Sequence, residues 1–428
     1  MSNVPMTRPQ EAISVQTHDW GHSASFLELG DGRIYVTAGG RHGYSEDGGL
    51  TWSISERRDA AGQFIRGTSL VKLGDGAIGM GGGGVVPGAV TQDPMQAIFF
   101  RSQDDGRTWS EPVVCNPPYL SAHPNQDTLL RTSSGRIIYP VYLMIGQGSW
   151  RAEEAPVPGA YLKTGHFVGT DAHFFDPHFG ACFVCYSDDD GRTWTVNKDG
   201  EIFIINDYQG NYAPTYEPSV AEISPGRLIM ILRTGLGRLY QAWSDDDGTT
   251  WSRPQPMALA SDHSPGQIRT LPTGDLLCVW SQHSAEETRA GYTRTRISSA
   301  VSRNGGGIWE FFQNIHSILE ETFVAPGPIE IVRPQQVHAL PGRPAPAYDP
   351  KYAVPLKDGH GRWSYPSVYV MKDRVLISHT YTRNERGKVV DDGGNSRLKI
   401  LPIEWFYGGE LPEGESLYIK KASQAPQP

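Results

Sequence analysis

Six apolar runs along the chain are each entered through polar side chains that core packing does not require. They are His22 in WGHSASF, Arg66 in FIRGTSL, His123 with Asn125 and Asp127 in AHPNQDT, Glu217 in TYEPSVAE, His263 with Gln267 in DHSPGQIRT, and Tyr365 in WSYPSVYV. A carboxylate, a guanidinium, a phenol and imidazoles are the groups that hold polar ligands and move protons. Their recurrence at the same place in successive segments predicts convergence on one shared pocket.

Other reactive residue types have plainer readings. Cys182 and Cys185 form a CxxC in GACFVCYS, which reads as a strand running into a turn. Side chains three apart on a strand point to opposite faces, so the pair does not share a metal. Cys115 and Cys278 complete a set of 4 cysteines too scattered for a disulfide framework. All read as buried thiols. His166, His173 and His178 match no ligand spacing and read as a loop packed by its own aromatics. No metal or cofactor is expected.

The elements that must position the polar set are repeats. The pattern SxDxGxTW occurs at Ser45 to Trp52, Ser102 to Trp109, Ser187 to Trp194 and Ser244 to Trp251, with a worn copy at Ser302 to Trp309. It predicts a strand, a tight turn and a strand. The aspartate accepts bonds from turn amides, the glycine takes a left-handed backbone angle, and the tryptophan anchors the next strand. Asp47, Asp104, Asp189 and Asp246 are therefore structural residues and not catalytic groups or calcium ligands.

Upstream of each box lies a hairpin pattern: FLELGDGRIYV, LVKLGDGAIGM, LLRTSSGRIIYP, VAEISPGRLIMI and IRTLPTGDLLCV. A sixth, VYVMKDRVLISH, is followed by NSRLKILPIEWF, expected to supply the last two strands of its unit. Six four-stranded units predict an all-β, six-bladed β-propeller spanning residues 1–428 as a single domain. Glu11 to Thr17 or the tail GESLYIKK closes the ring, and rim insertions lie near 145–180 and 323–363. In such a ring the first strand of each blade lines the central channel, which places the polar set at its mouth.

Composition agrees with this reading. The 49 Gly, 32 Pro, 19 Tyr and 11 Trp in 428 residues describe short aromatic strands joined by many turns. A formal charge of −9 leaves no basic stripe for nucleic acid or anionic lipid, so neither is an expected partner. The first twenty residues lack an apolar core of signal-peptide length and no window reaches membrane-span length, which predicts a cytoplasmic protein.

Over nearly its whole length the chain resembles the sialidases, six-bladed propellers that carry the same Asp boxes. The box is shared with other propeller families, so the more specific likeness is in YEPSVAEISPGRLIMILRTG. There Glu217 and Arg233 stand where the family has an activating glutamate and a substrate-binding arginine. Arg294, before the fifth box, matches another substrate arginine, and Tyr365 matches the family's nucleophile. The resemblance implies that planar guanidinium forks grip a substrate carboxylate while a neutral phenol attacks an already anionic sugar, with Glu217 taking the phenol proton.

Two departures qualify that likeness. His22 stands where the family opens its first blade with an arginine. The connection AGGRHGY, where the family has its acid/base aspartate, contains none. Arg41 is retained there, and His42 or His22 is left to protonate a leaving oxygen. Three readings stay open: an exo-acting hydrolase of a terminal acidic sugar such as sialic acid, a polysaccharide lyase acting on a uronate, and a non-catalytic propeller that binds a glycan. In each case the expected partner is an acidic glycan, with Arg66, His123 and Gln267 among the residues that touch it.

Overall fold

In the computed structural model, residues 11–58, 65–85, 95–145, 179–208, 210, 212–289, 294–330, 332, 361–385, 388–390 and 394–412 are described. The insert carrying His166, His173 and His178, most of the Pro-rich insert and the tail GESLYIKK lie outside them.

Six antiparallel sheets of four or five strands follow one another along the chain as the blades of a propeller. Blade I comprises Ser25–Glu28, Ile34–Ala38, Arg41–Ser45 and Ser53–Glu56, and blade IV comprises Thr215–Ser224, Arg227–Thr234, Arg238–Ser244 and Gln255–Ala260. Blade V comprises Gln267–Thr270, Leu276–Ser281, Arg296–Ser302 and Glu310–Ser317. Every predicted hairpin forms the two inner strands of a blade, and every predicted box joins the third strand to the fourth.

The last blade departs from expectation. Its inner strands are Gly361–Val370 and Arg374–Glu385, and Ser396–Pro402 is the third. The following Ile403–Tyr407 turns into a short 3-10 helix, so NSRLKILPIEWF supplies one strand rather than two. Pro402, which cannot donate to a ladder, caps that helix. The outer strand comes from the N-terminal segment, one of the two closures expected: Ser14–His18 pairs antiparallel with the third, from Ser14 opposite Ile400 to His18 opposite Ser396. Closure by the N-terminal segment staples first and last blades through backbone bonds.

Both faces of each blade are buried, which is why the strands read as continuous apolar runs. Six clusters of buried side chains lie between successive blades. In blade III, Ile137, Tyr139 and Val141 face blade II while Ile138 and Tyr142 face blade IV. The CxxC obeys the same alternation: Cys182 packs toward blade IV and Cys185 toward blade II, both buried and free.

The boxes use their residues as predicted. In Ser244–Trp251, Asp246 accepts from the Thr250 amide at 2.8 Å, the Thr250 hydroxyl at 2.6 Å and the Ser244 hydroxyl at 2.8 Å, and the Trp251 indole donates to Gly248 O at 3.0 Å. In the worn copy Asn304 still accepts from Ile308 N at 2.8 Å. Two successive residues are left-handed in each box, so Asp105, Asp190 and Asp247 precede the box glycine with φ of 59°, 57° and 56°. Aspartate tolerates that region better than most side chains.

At the axis the inner strands converge without a shared ladder, and side chains bridge them. Ser25, Ser69 and Ser219 accept the amides of Leu70, Leu129 and Ile268 in the next blade at 3.0, 2.8 and 3.2 Å. Asp127, expected at the mouth, is instead buried here. The first strand of blade III breaks between His123–Pro124 and Leu130–Arg131, and Asp127, with φ 55°, points into the axis. It accepts from Ser25 Oγ at 2.7 Å and Val368 N at 3.0 Å and pairs with Arg269 at 3.1 Å.

Among the described residues no helix is long and apolar enough to cross a membrane, and no cluster of three or more metal-ligating groups occurs.

Two predictions arise. Asp127→Ala strands the Arg269 guanidinium and frees Ser25 and Val368 together, so it is expected to cost about 3–5 kcal/mol; denaturant unfolding measures this against an Asp104→Ala control. His316 and His379 lie with ring centroids 4.8 Å apart in the core between blades V and VI. Burial, then the cationic neighbours Arg397 and Lys399, hold His379 down to about 4, and burial, His379 and the same cations hold His316 down to about 2. A depressed imidazole gives stability that is full above the unfolded value near 6.5 and is lost as pH falls toward 4. The melting temperature should drop across that window, and His379→Gln should flatten the dependence.

Candidate active site

The mouth residues are presented by backbone irregularities in otherwise regular strands. Glu217 and Tyr365 occur in Glu-Pro-Ser-Val and Tyr-Pro-Ser-Val, at the same point of the inner strands of blades IV and VI. Each proline removes a ladder donor, and each strand shifts register there, between Tyr216 and Ser219 and between Ser364 and Ser367. Glu217 and Tyr365 take φ of 46° and 53°, conformations that non-glycine residues hold only when surrounding structure imposes them. The bulge swings each side chain out of the pleat, while Val220 and Val368 behind it anchor the strand in the core.

Arg233 lies on the second strand of blade IV, paired with Tyr216. It is 1% exposed and forms a direct ion pair with Glu217, itself 4% exposed. Its guanidinium also donates to His263 Nδ1 at 3.3 Å and lies close enough to Tyr365 for the two to act on each other electrostatically. Arg294, with φ 57°, enters blade V half-buried; its guanidinium carbon lies 5.2 Å from the Tyr365 ring centroid. The His22 ring meets the same ring edge-on at 4.9 Å. Five of the predicted residues, Tyr365, Glu217, Arg233, Arg294 and His22, are thus one cluster.

The electrostatics follow from this packing. Burial raises the Tyr365 phenol above its ordinary value and the Glu217 carboxylate adds to that, while Arg233 and Arg294 oppose it. Burial would lower Arg233, but the adjoining Glu217 and Tyr365 outweigh it and raise the guanidinium further. Burial lowers His22, with Glu217 pulling it back up and Arg294 pushing it down. Tyr365 therefore rests as a neutral phenol and His22 as a neutral imidazole at neutral pH, beside a buried ion pair.

The remaining predicted residues lie around or away from this cluster. His123 stacks on Tyr142 at 5.2 Å, Tyr142 meets Tyr216 at 5.7 Å, and Tyr216 meets His263 at 5.7 Å, an aromatic wall beside Glu217. Gln267 is buried under the site, accepting from Ser219 Oγ at 2.8 Å and donating to Gln126 O at 2.7 Å, so it braces inner strands rather than facing outward. Arg66 is exposed at the start of blade II. Arg41 and His42 are not brought to the cluster: Arg41 reaches Asp19 at 3.5 Å and His42 Nδ1 meets the Tyr35 hydroxyl at 3.2 Å. Both belong to the third strand of blade I, and the pleat turns His42 toward the core shared with blade II.

Sequence reasoning missed Tyr142 and Tyr216, which look like core aromatics, and Asp262, which immediately precedes His263 in DHSPGQ. For Asp262 the signal was its place at the start of an inner strand; for the tyrosines there was none.

A family model described as BNR repeat-like domain matches residues 84–377. A sialidase of Bacteroides fragilis (strain YCH46) is 23% identical over 239 residues, covering 52% of this chain and 35% of that protein. The chain thus spans about a third of the length of this curated relative. Among solved structures, a protein of unknown function from Dyadobacter fermentans DSM 18053 superposes with a TM-score of 0.53 at 18% identity, covering 94% of this chain and 100% of the other. The Hadza microbial sialidase Hz136 gives 0.54 at 15% identity, covering 92% of this chain and 66% of the other. At these identities the superpositions establish the fold.

The charge arrangement is testable without a substrate. Glu217→Gln removes the anion that raises Tyr365 and leaves both arginines, so the phenol should ionise at lower pH than in the wild type. Tyrosinate absorbance, taken as the difference between each protein and its Tyr365→Phe counterpart, reads this; an unchanged titration shows that Glu217 does not act on Tyr365.

Proposed function

The chain belongs to the BNR repeat-like domain family and is a divergent sialidase-like six-bladed propeller, and on that premise we propose that it is an exo-acting glycoside hydrolase of a terminal acidic sugar, sialic acid or a relative. The observation that carries this reading is the pairing of Glu217 and Tyr365 on matched bulges around one buried arginine. Simple binding has no need of a phenol and a carboxylate both held in left-handed backbone.

The residues have distinct roles in this reaction. Tyr365 attacks the anomeric carbon; being neutral at rest, it approaches an anionic sugar without the repulsion a carboxylate nucleophile would meet. Glu217 takes the phenol proton. In the resting site its carboxylate is held by Arg233, so a substrate carboxylate that competes for Arg233 loosens the ion pair and frees Glu217 as sugar arrives. Arg294 presents its terminal nitrogens to the same carboxylate. Of the two histidines considered as proton donor to the leaving oxygen, His22 is the one beside Tyr365. Because His22 is depressed, it is charged only on the acid side, and an optimum below about pH 6.5 follows.

The test is turnover of 4-methylumbelliferyl sialoside and glucuronide by wild type and Tyr365→Phe, with ultraviolet absorbance followed in parallel on a uronate polysaccharide. Fluorophore release reduced by at least about 10²-fold in Tyr365→Phe supports the nucleophile. A near-ultraviolet chromophore formed from the polysaccharide without fluorophore release assigns a lyase instead. Binding of the sugar acids without turnover, unaffected by Tyr365→Phe, leaves a glycan-binding propeller.

A further inference from the structure

Behind Arg294 lies a buried pair that the proposed reaction does not use. Asp262 is 3% exposed and His283 is 0% exposed, with His283 Nδ1 3.4 Å from Asp262 Oδ2. The tautomer is fixed by the other side of the ring. The Thr295 amide can only donate, and it does so to His283 Nε2 at 3.3 Å; the Thr295 hydroxyl lies 2.7 Å from the same nitrogen. His283 Nε2 is therefore the acceptor and the ring proton sits on Nδ1, which donates to Ser281 Oγ at 3.4 Å with Asp262 Oδ2 at the same distance. Burial lowers His283 and keeps the ring neutral, although Asp262 and Glu287 work in the opposite direction.

The same Oδ2 of Asp262 accepts the Arg294 backbone amide at 2.7 Å and the Ser281 hydroxyl at 3.2 Å. On its other side, Arg294 O accepts from Trp363 N at 2.7 Å, two residues before Tyr365. Ser264, from the same segment as Asp262, accepts from Arg294 Nε at 3.2 Å. Arg294 thus has both peptide groups and its side chain pinned while its φ stands at 57°. A non-glycine residue in that region reverts to ordinary backbone unless something holds it.

We propose that the Asp262–His283 pair is a positioning device: His283, through the Ser281 hydroxyl, orients the Asp262 carboxylate, and Asp262 holds Arg294 in the left-handed conformation that lays its guanidinium against Tyr365. The inference rests on reading Arg294 as a group that meets the substrate carboxylate. A carboxylate suits the task because a single oxygen takes the Arg294 amide and the Ser281 hydroxyl together, and a neutral histidine backing that hydroxyl adds no positive charge behind Arg294.

The experiment combines the crystal structures of Asp262→Ala and Asp262→Asn with kcat and KM of each on 4-methylumbelliferyl sialoside and glucuronide. Release of Arg294 from positive φ in Asp262→Ala, with KM raised by about tenfold or more and kcat changed much less, is expected. Asp262→Asn, whose amide oxygen can still accept the Arg294 N–H, should return KM most of the way. A folded Asp262→Ala that keeps Arg294 at positive φ and KM at the wild-type value overturns the proposal. If Asp262→Ala does not fold, Ser264→Ala and His283→Gln decide the question by the same KM readout and Arg294 backbone angle. Wild type that turns over neither glycoside sinks the hydrolase reading alone, and the Arg294 conformation in the variants still decides this one.

Discussion

Asp127 closes the ring from inside. A propeller holds its blades together by side-chain packing between sheets, and that packing is non-directional: it does not set how far each inner strand slides along the axis. The Asp127 carboxylate takes Ser25 of blade I and Val368 of blade VI on its two oxygens, Arg269 of blade V on one of them, and its own amide donates to Thr68 O at the start of blade II. Arg269 then reaches Ser219 of blade IV at 3.4 Å. Through one buried carboxylate and its arginine, inner strands from all six blades are held at a common height. Glu217, His22 and Tyr365 at the mouth stand two or three residues before Ser219, Ser25 and Val368, so their relative positions depend on these contacts. Burial raises Asp127 while Arg269 and the hydroxyls work in the opposite direction, the balance typical of a charge kept for geometry.

The site on top of this axis is made of exceptions to strand structure. Glu217, Tyr365, Arg294 and Asp127 share positive φ without being glycine. Each such residue costs of order 1–3 kcal/mol and persists only where neighbours over-determine it. For Glu217 and Tyr365 the over-determination is visible: a proline follows, a serine and a valine re-enter the pleat, and the register resumes at Ser219–Ile231 and Ser367–Ser378. A side chain in a regular strand would point into a core between blades. The bulge is what lets a residue on a fully buried strand face the channel opening instead.

How far this was legible in the sequence follows from how local each cause is. The boxes depend on eight contiguous residues and the hairpins on about eleven, so both were readable to within a few positions. Glu217 and Tyr365 were visible because a polar group at the head of an apolar strand has no packing explanation. Closure was legible only as two alternatives, Glu11 to Thr17 or the tail GESLYIKK, and the pairing of Ser14–His18 with the third strand of the last blade meets the first; the helix at Ile403–Tyr407 hid in an apolar run that reads equally well as a strand. Arg41 and His42 failed to join the cluster because the third strand of a blade stands away from the axis, a fact of blade geometry absent from local pattern. Asp262 and His283 are twenty-one positions apart, and only the fold makes them neighbours.

The buried charges separate what stabilises this molecule from what orients it. Around the rim, pairs such as Arg41–Asp19 and Arg58–Glu56 are exposed and contribute little. At the axis and mouth, the ion pairs Asp127–Arg269 and Glu217–Arg233, and Asp262 beside its neutral partner His283, are largely removed from water. Desolvating such pairs costs about as much as their attraction returns, so apolar residues of the same volume would give an equally stable ring. What an apolar replacement could not give is direction. Leucine at 127 would fill the axis without fixing the height of Ser25 against Val368, and leucine at 262 would pack against His283 without gripping one amide of Arg294. The three pairs concentrate where the repeats stop being alike, and each ties a different blade to the cluster around Tyr365. The repeated turns make the blades alike in outline; these unrepeated charges fix how the side chains at the mouth stand relative to one another.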